Sequence, residues 1–253
     1  PPLFLVPALP QQDSYLLDGP EGRHAARVRR LRPGEELVLS DGRGGVARSV
    51  VEHVDRDALQ LRLLARDTVP PPTPRLTLAQ ALIKGDRGEL AVELATEAGI
   101  DEVVPWRAER CVVRWEPGPR EDKAVTRWRV TAREAAKQAR RAWVPDVNPP
   151  VSTRELAARA AEAGLTLVLH ESATDDMADL AAELRTATDL LLVVGPEGGI
   201  TDAELAELAA AGARPVRLGQ EVLRASTAAA VALGALGVLT SRWARARRGG
   251  VSG

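Results

Sequence analysis

Directly after the apolar run at 190–194 the chain reads Gly195-Pro196-Glu197-Gly198-Gly199. Glycines at such a turn let a ligand approach the backbone closely, and the proline stiffens it. A polyphosphate suits this loop poorly. The loop holds an acid and no lysine, lacks a Gly-Lys-Ser/Thr ending, and does not follow GxGxxG spacing. A neutral or cationic ligand fits better, with an ordinary tight turn as the plain alternative. A second loop at 218–223, LGQEVL, repeats the arrangement of strand, glycine turn and helix.

The elements that must position these loops are legible around them. LLVV has the continuous apolar character of a central parallel strand. Thr201 with Glu204 three residues later forms a capping box, so a helix starts there. The glycine turn therefore lies at the carboxyl end of a strand, where open α/β sheets bind ligands. From residue 75 onward strands and helices alternate. RLTLAQALI, DEVVPW, LTLVLHES, LLVV and RPVRLG read as strands. DRGELAVELATEAG, 121–142, MADLAAELRT, DAELAELAAAG and a last apolar stretch from about 223 read as helices. That alternation predicts a mostly parallel sheet covered by helices. Residues 1–70 differ: EELVLSDG, GVARSVVEHV and ALQLRLLA are short β-like runs separated by turn signals, as in a small β-barrel. VPPPTP is a stiff linker between the two parts, placing the boundary at 71–74.

Charge is unevenly spread although the net is -1. Arg23, His24, Arg27, Arg29, Arg30 and Arg32 lie within ten residues holding no acid. Arg129, Arg133, Lys137 and Arg140 share one face of the predicted helix at 121–142, opposite Val125, Trp128, Ala132, Ala135 and Ala139. A solvated face and a phosphate-binding patch both explain such runs. The tail SRWARARRGGVSG is basic too and is expected to fray.

Composition narrows the classes. Apolar residues make up 45% of the 253, enough for a core, while aromatics supply only 3%. Cys111 is the single cysteine, so no internal disulfide forms, and it reads as an apolar filler. No Cys/His cluster has metal-ligand spacing, so no metal is expected. The longest apolar run, 227–239, is too short to span a bilayer. Without a charged-then-apolar opening segment, the expected location is cytoplasmic. His170 ends a predicted parallel strand, which places it beside the ligand loops.

GPEGG followed by a strand, LGQEVLR and a small-residue helix resembles the SPOUT class of methyltransferases. Within that class the chain resembles the ribosomal RNA small subunit methyltransferase E family, which methylates N3 of a uridine in 16S ribosomal RNA. Further blocks carry the resemblance in order: HAARVRR; LIKGD with Lys84; ATEAGI with Glu97 and Gly99; VVPWRAERCVV with Pro105, Glu109 and Arg110; and REAAKQARR with Glu134, Gln138 and Arg141. One departure is Ser226, where the family commonly has glutamate.

The resemblance implies an α/β fold: a PUA-like β-barrel at 1–70, then a SPOUT domain at 75–245 with a C-terminal trefoil knot, and a flexible tail at 246–253. It implies S-adenosylmethionine held by His170, Gly195, Pro196, Glu197, Gly198, Gly199, Leu218, Gly219, Leu223 and Thr227. RNA contacts fall on Arg23, His24, Arg27, Arg29, Arg30, Lys84, Arg133, Lys137, Gln138 and Arg140. Arg141, Arg110 and Arg224 are the candidates for stabilising a uracil anion, Arg141 foremost, with Glu97 or Glu197 to take the N3 proton. Glu197 is read first as a brace for its loop. The implied partners are 16S rRNA in the small ribosomal subunit and a second copy of the chain, packed through the helix STAAAVALGALGVL. Rival readings are a SPOUT enzyme acting on another RNA site and a non-catalytic RNA-binding assembly factor.

Overall fold

The computed structural model describes residues 1–243. Residues 244–253, and with them the tail expected at 246–253, lie outside the described residues. The chain divides into two compact units: Pro1–Pro71 with Arg133–Val144, and Pro72–Ala132 with the chain from Pro145 onward.

The first unit holds five strands: β1 (Leu3–Leu5), β2 (Ser14–Leu17), β3 (Glu36–Ser40), β4 (Gly45–Val54) and β5 (Leu59–Thr68). They order as β1-β3-β4-β5-β2, with β1 parallel to β3 and the other pairs antiparallel. Along β4, Ala47, Ser49 and Val51 are buried while Arg48 and Val50 are less so, the period of two that one buried face requires. The β4–β5 pairing slips at Arg48/Ser49 and again at Val51/His53. Such bulges increase local twist, and the sheet curls around Phe4, Leu37, Leu39, Leu59 and Leu61. A short helix α1 (Gly19–Arg23) runs straight into a π-helical turn, His24–Val28. The segment 133–144 packs here as well: Gly44 N–H donates to Ala142 O at 2.9 Å, and Trp143 Nε1 donates to Val69 O at 3.0 Å.

In the second unit β6 (Arg75–Ala81), β7 (Glu102–Trp106), β8 (Asp146–Val147), β9 (Leu165–Leu169), β10 (Asp189–Val194) and β11 (Arg214–Val216) form an all-parallel sheet, ordered β11-β9-β10-β6-β7-β8. The chain builds β6, β7 and β8 toward one edge, crosses over to β9, then inserts β10 between β9 and β6. Helices α2 (Arg87–Glu97), α3 (Pro119–Gln138), α4 (Thr153–Glu162), α5 (Ala181–Thr186), α6 (Asp202–Ala210) and α7 (Ala225–Leu239) complete the fold, α7 packing on α2. With neighbours on both sides, β10 needs apolar side chains throughout, and Leu190 to Val194 are all buried.

Several sequence expectations shift. The helix expected at 121–142 stops at Gln138, because Arg140 adopts a left-handed φ of 55° and Arg141 N–H turns back to Ala136 O. MADLAAELRT splits into a 3-10 turn, Met177–Leu180, and α5. The last helix begins at Ala225 rather than 223. α4 is additional. Its signal was present in the sequence as Ser152 with Glu155, which form a reciprocal capping box.

The basic tail does not fray from its start. The Arg242 side chain is 5% exposed and bonds Asp101 Oδ1 at 2.6 Å, with further bonds to Pro74 O at 2.7 Å and to Gly99 O. The guanidinium thus fastens the end of α7 to the start of β6 and the end of α2. Leaving Asp101 buried without its cation is costly. Arg242→Ala is expected to destabilise the second unit by about 3 kcal/mol, read as a lowered urea midpoint.

Candidate ligand cleft

Register explains why the ligand loops meet. Val194 of β10 pairs with Leu169 of β9 and Gln80 of β6, and Leu169 pairs with Val216 of β11. Three adjacent strands therefore end level, and the three loops that leave them open into one cleft of about 610 Å³. His170 comes from the first loop, Gly195 to Gly199 from the second, Leu218 to Leu223 from the third. The volume is that of a small-molecule site.

The glycine loop is braced from several directions. A Cβ on Gly195 would lie 2.7 Å from Ile200 Cγ1, so the turn that buries Ile200 requires glycine there. Gly199 has a φ of 75°, which glycine adopts without strain. The Glu197 carboxylate accepts from Lys84 N–H at 3.3 Å, tying the loop to the chain leaving β6, so the loop-bracing role read for it is visible. Arg110 Nη1 donates to Gly198 O at 3.2 Å.

Below the loop stands a carboxylate that sequence reasoning read only as a cap. Glu204 is 5% exposed. One oxygen accepts from Glu109 N–H at 2.8 Å and Thr153 Oγ1 at 2.9 Å; the other accepts from Thr201 N–H at 3.1 Å and Thr201 Oγ1 at 3.1 Å. It joins the start of α6, the loop after β7 and the start of α4. His170 is held too: its Nδ1 lies 2.9 Å from Ser172 Oγ and accepts from Ser172 N–H at 3.3 Å.

Of the predicted catalytic residues, Arg110 and Arg224 line the cleft. Glu97 does not: it is exposed at the far end of α2, about 15 Å along the axis from the cleft-lining Arg87, which removes it as the proton acceptor of this cleft. Thr227, in the first turn of α7, is outside the cleft lining, its hydroxyl donating to Arg224 O at 3.2 Å. Arg141 lies past the end of α3, half-buried, in the segment grouped with the first unit, with Arg133, Gln138 and Arg140 exposed around it. Lys84 is exposed next to the glycine loop.

Lys137 departs from the solvent-facing expectation. Its side chain is 11% exposed, with the ammonium 2.9 Å from Glu21 Oε1 and 3.1 Å from Glu134 Oε2. That charge is committed inside the first unit. Arg27 pairs with Asp57 at 2.9 Å, and His24 packs edge-on against Phe4 at 6.0 Å. Arg23, Arg29, Arg30 and Arg32 stay exposed. Cys111 is buried, and burial pushes its thiol up to about 11, so it is an inert filler. Ser226 is buried in the first turn of α7. Among the described residues no group of His, Cys, Asp or Glu is arranged to hold a metal, and no helix is long and apolar enough to cross a membrane.

A curled sheet preceding a parallel sheet, with a glycine-lined cleft at its strand ends, defines a two-part α/β ligand-binding protein carrying an accessory β unit. The chain belongs to the RNA methyltransferase domain family, whose model matches residues 70–237, and an RNA methyltransferase PUA domain matches residues 17–64. The ribosomal RNA small subunit methyltransferase E of Mycobacterium bovis is 55% identical over 95% of this chain and 93% of its own. The enzyme of that name from Bacillus subtilis is 28% identical over 90% and 91%. Among solved structures, a methyltransferase of Legionella pneumophila in complex with the cofactor SAM superposes with a TM-score of 0.82, at 29% identity, over 94% of this chain and 97% of that one. The ribosomal RNA small subunit methyltransferase E of Neisseria gonorrhoeae, bound to S-adenosyl methionine, gives 0.81 at 28% identity over 94% and 98%.

The Glu204 junction is open to test. Glu204→Ala should cost about 3 kcal/mol by chemical denaturation, since it strips four donors of a charged acceptor. Glu204→Gln should cost roughly half as much, because the amide retains one acceptor oxygen.

Proposed function

We propose that this protein transfers a methyl group from S-adenosylmethionine to N3 of a uridine in 16S ribosomal RNA of the small subunit. The observation that carries the reading is the cleft itself, three loops at level strand ends, in a chain 55% identical along nearly its full length to an enzyme named for this RNA. The donor supplies an electrophilic methyl on a sulfonium. The residues present can hold it: Glu171, Glu197, Asp202 and Glu221 bring carboxylates to the cleft wall, alongside the guanidinium groups of Arg87, Arg110, Arg217 and Arg224. The backbone N–H groups of Leu218 and Gly219 make no hydrogen bond among the described residues, so they are available to a ligand's ring nitrogens.

The chain's own part in the chemistry is positioning and charge. A uridine N3 lies on the pairing edge, so the base must be unpaired and splayed out to react. Arg110 and Arg224 bring guanidinium groups to the cleft, where they stabilise negative charge developing on the uracil oxygens as the N3 proton leaves. Of the carboxylates lining the cleft, Glu197 on the glycine loop is the one assigned to accept that proton. Arg141 keeps its assignment as an organiser of the RNA substrate. The reading extends to a cytoplasmic enzyme and a knotted C-terminal part, the latter supported by β10 inserting between β9 and β6. It also extends to a homodimer, supported by exposed Val231 and Val238 on α7.

RNA binding by the first unit rests on an energetic oddity. Arg30 and Arg140 adopt left-handed φ values of 52° and 55°, conformations that favour glycine by about 1 kcal/mol or more. Both follow a helical turn, at positions where glycine commonly ends a helix. Retaining arginine there against the backbone preference points to use of the guanidinium, in a patch where Arg23, Arg29 and Arg32 are also exposed.

Two experiments test the reading. Incubation of small subunits lacking the native methyl group with labelled S-adenosylmethionine should yield N3-methyluridine at one position by mass mapping; cofactor binding without transfer would reassign the RNA target. Arg30→Gly and Arg140→Gly should each raise the unfolding midpoint while weakening RNA binding severalfold. Each should also shallow the salt dependence of binding by about one unit of slope. Unchanged RNA affinity in both variants would take the two arginines out of the footprint.

A further inference from the structure

A second cavity, of about 410 Å³, lies in the parallel-sheet unit apart from the ligand loops. Its walls are Ile83, Asp86 and Gly88 on one side and Val113, Trp115 and Trp128 on another, with Arg127 and Glu89 at hand. The two cavities share one short stretch of chain. Lys84 N–H holds Glu197 of the cleft, and Arg87 lines the cleft, while Gly85 and Asp86 between them line the second cavity.

The lining is unusual for this protein. The sequence has five tryptophans, one tyrosine and one phenylalanine, and two of the tryptophans meet here. Trp128 is 1% exposed and serves as the floor. Gly88 makes room for it, since a Cβ there would lie 2.9 Å from Trp128 Cζ2. Trp115 stands edge-on to it, ring centroids 5.1 Å apart at 78°, and remains partly exposed. A buried indole thus props up an accessible one. Asp86 occupies the N-cap of α2, where a carboxylate normally accepts from its own helix, yet its side chain makes no such bond. The residue is exposed, and while its carbonyl accepts from Leu90 N–H at 3.0 Å, its carboxylate takes no bond from the helix it caps. Glu89 is already matched by Arg127 at 3.2 Å.

We propose that this cavity takes an unpaired guanine beside the target uridine in the RNA, stacked on Trp115 with its N1–H and N2–H donated to the Asp86 carboxylate. The inference rests on the RNA-methylating reading above. Stacking on an accessible aromatic ring is the common way proteins hold splayed bases. A carboxylate only accepts, and of the four bases guanine alone offers it two adjacent N–H donors on its pairing edge. The shared stretch at 84–87 joins the two sites, so a base held here helps fix the neighbouring nucleotide at the cleft.

The test is equilibrium binding of labelled single-stranded RNA oligomers with one uridine flanked by G, A, C or U. The expected result is a preference of about tenfold for the G-flanked oligomer. Asp86→Asn should erase that preference and leave the other affinities unchanged. Trp115→Ala should weaken binding of every oligomer about tenfold, and Trp115→Phe should restore it. The absence of a G preference in the wild-type protein, its survival in Asp86→Asn, or wild-type affinity in Trp115→Ala would each overturn the proposal. Loss of methyl transfer to small subunits with the G preference intact would instead overturn the functional reading and leave this site standing.

Discussion

The ladder that holds β10 between β9 and β6 is the constraint on which the rest of the second unit depends. A parallel strand paired on both sides cannot slide without breaking two rows of backbone bonds, so Val194 is fixed level with Leu169 and Gln80. The chain must turn at Gly195, and every loop that forms the cleft takes its height from that stop. Side-chain bonds then refine what the ladder sets. Glu204 gathers donors from Glu109, Thr153 and Thr201, and Glu197 reaches Lys84, so the glycine loop is held from below and from the side. Glycine supplies shape here rather than looseness.

Much of this was legible because it is local. LLVV, the three glycines and the Thr201–Glu204 capping box are neighbours in the chain, and each has a physical meaning at short range. Gly99 as a helix terminator was legible for the same reason, and it does take a φ of 106° just beyond α2. What the sequence hid were the long-range partners. Nothing near Glu204 announces Thr153, and nothing near Arg242 announces Asp101. Helical periodicity placed Lys137 on a face with Arg133 but could not say that Glu21 would cover it. The same periodicity gave Glu97 a helix without saying how far along its axis the cleft lies.

The basic residues divide in the same way. A run of arginines reads as one patch, yet the structure separates charges that are spent from charges that are free. Arg27 is matched by Asp57 and Arg242 is locked inside the second unit, whereas Arg29 and Arg30 face solvent. Counting cations in the sequence overstates the footprint, because a guanidinium is as good a structural cross-link as it is a phosphate ligand.

The membership of Arg133–Val144 in the first unit bears on how the protein is made. The proline-rich stretch near residue 71 looks like a place where one fold is finished and another begins. It is not, because Gly44 N–H donates to Ala142 O and Val69 O accepts from Trp143 Nε1. A growing chain reaches those residues only after β6, α2, β7 and α3 have been translated in full. At ordinary elongation rates that is a wait of several seconds. The accessory unit is therefore completed by a segment that falls, in sequence, between the two stretches of the other unit. The two cannot be exchanged between proteins as separate cassettes cut at the linker, and their inheritance is joint.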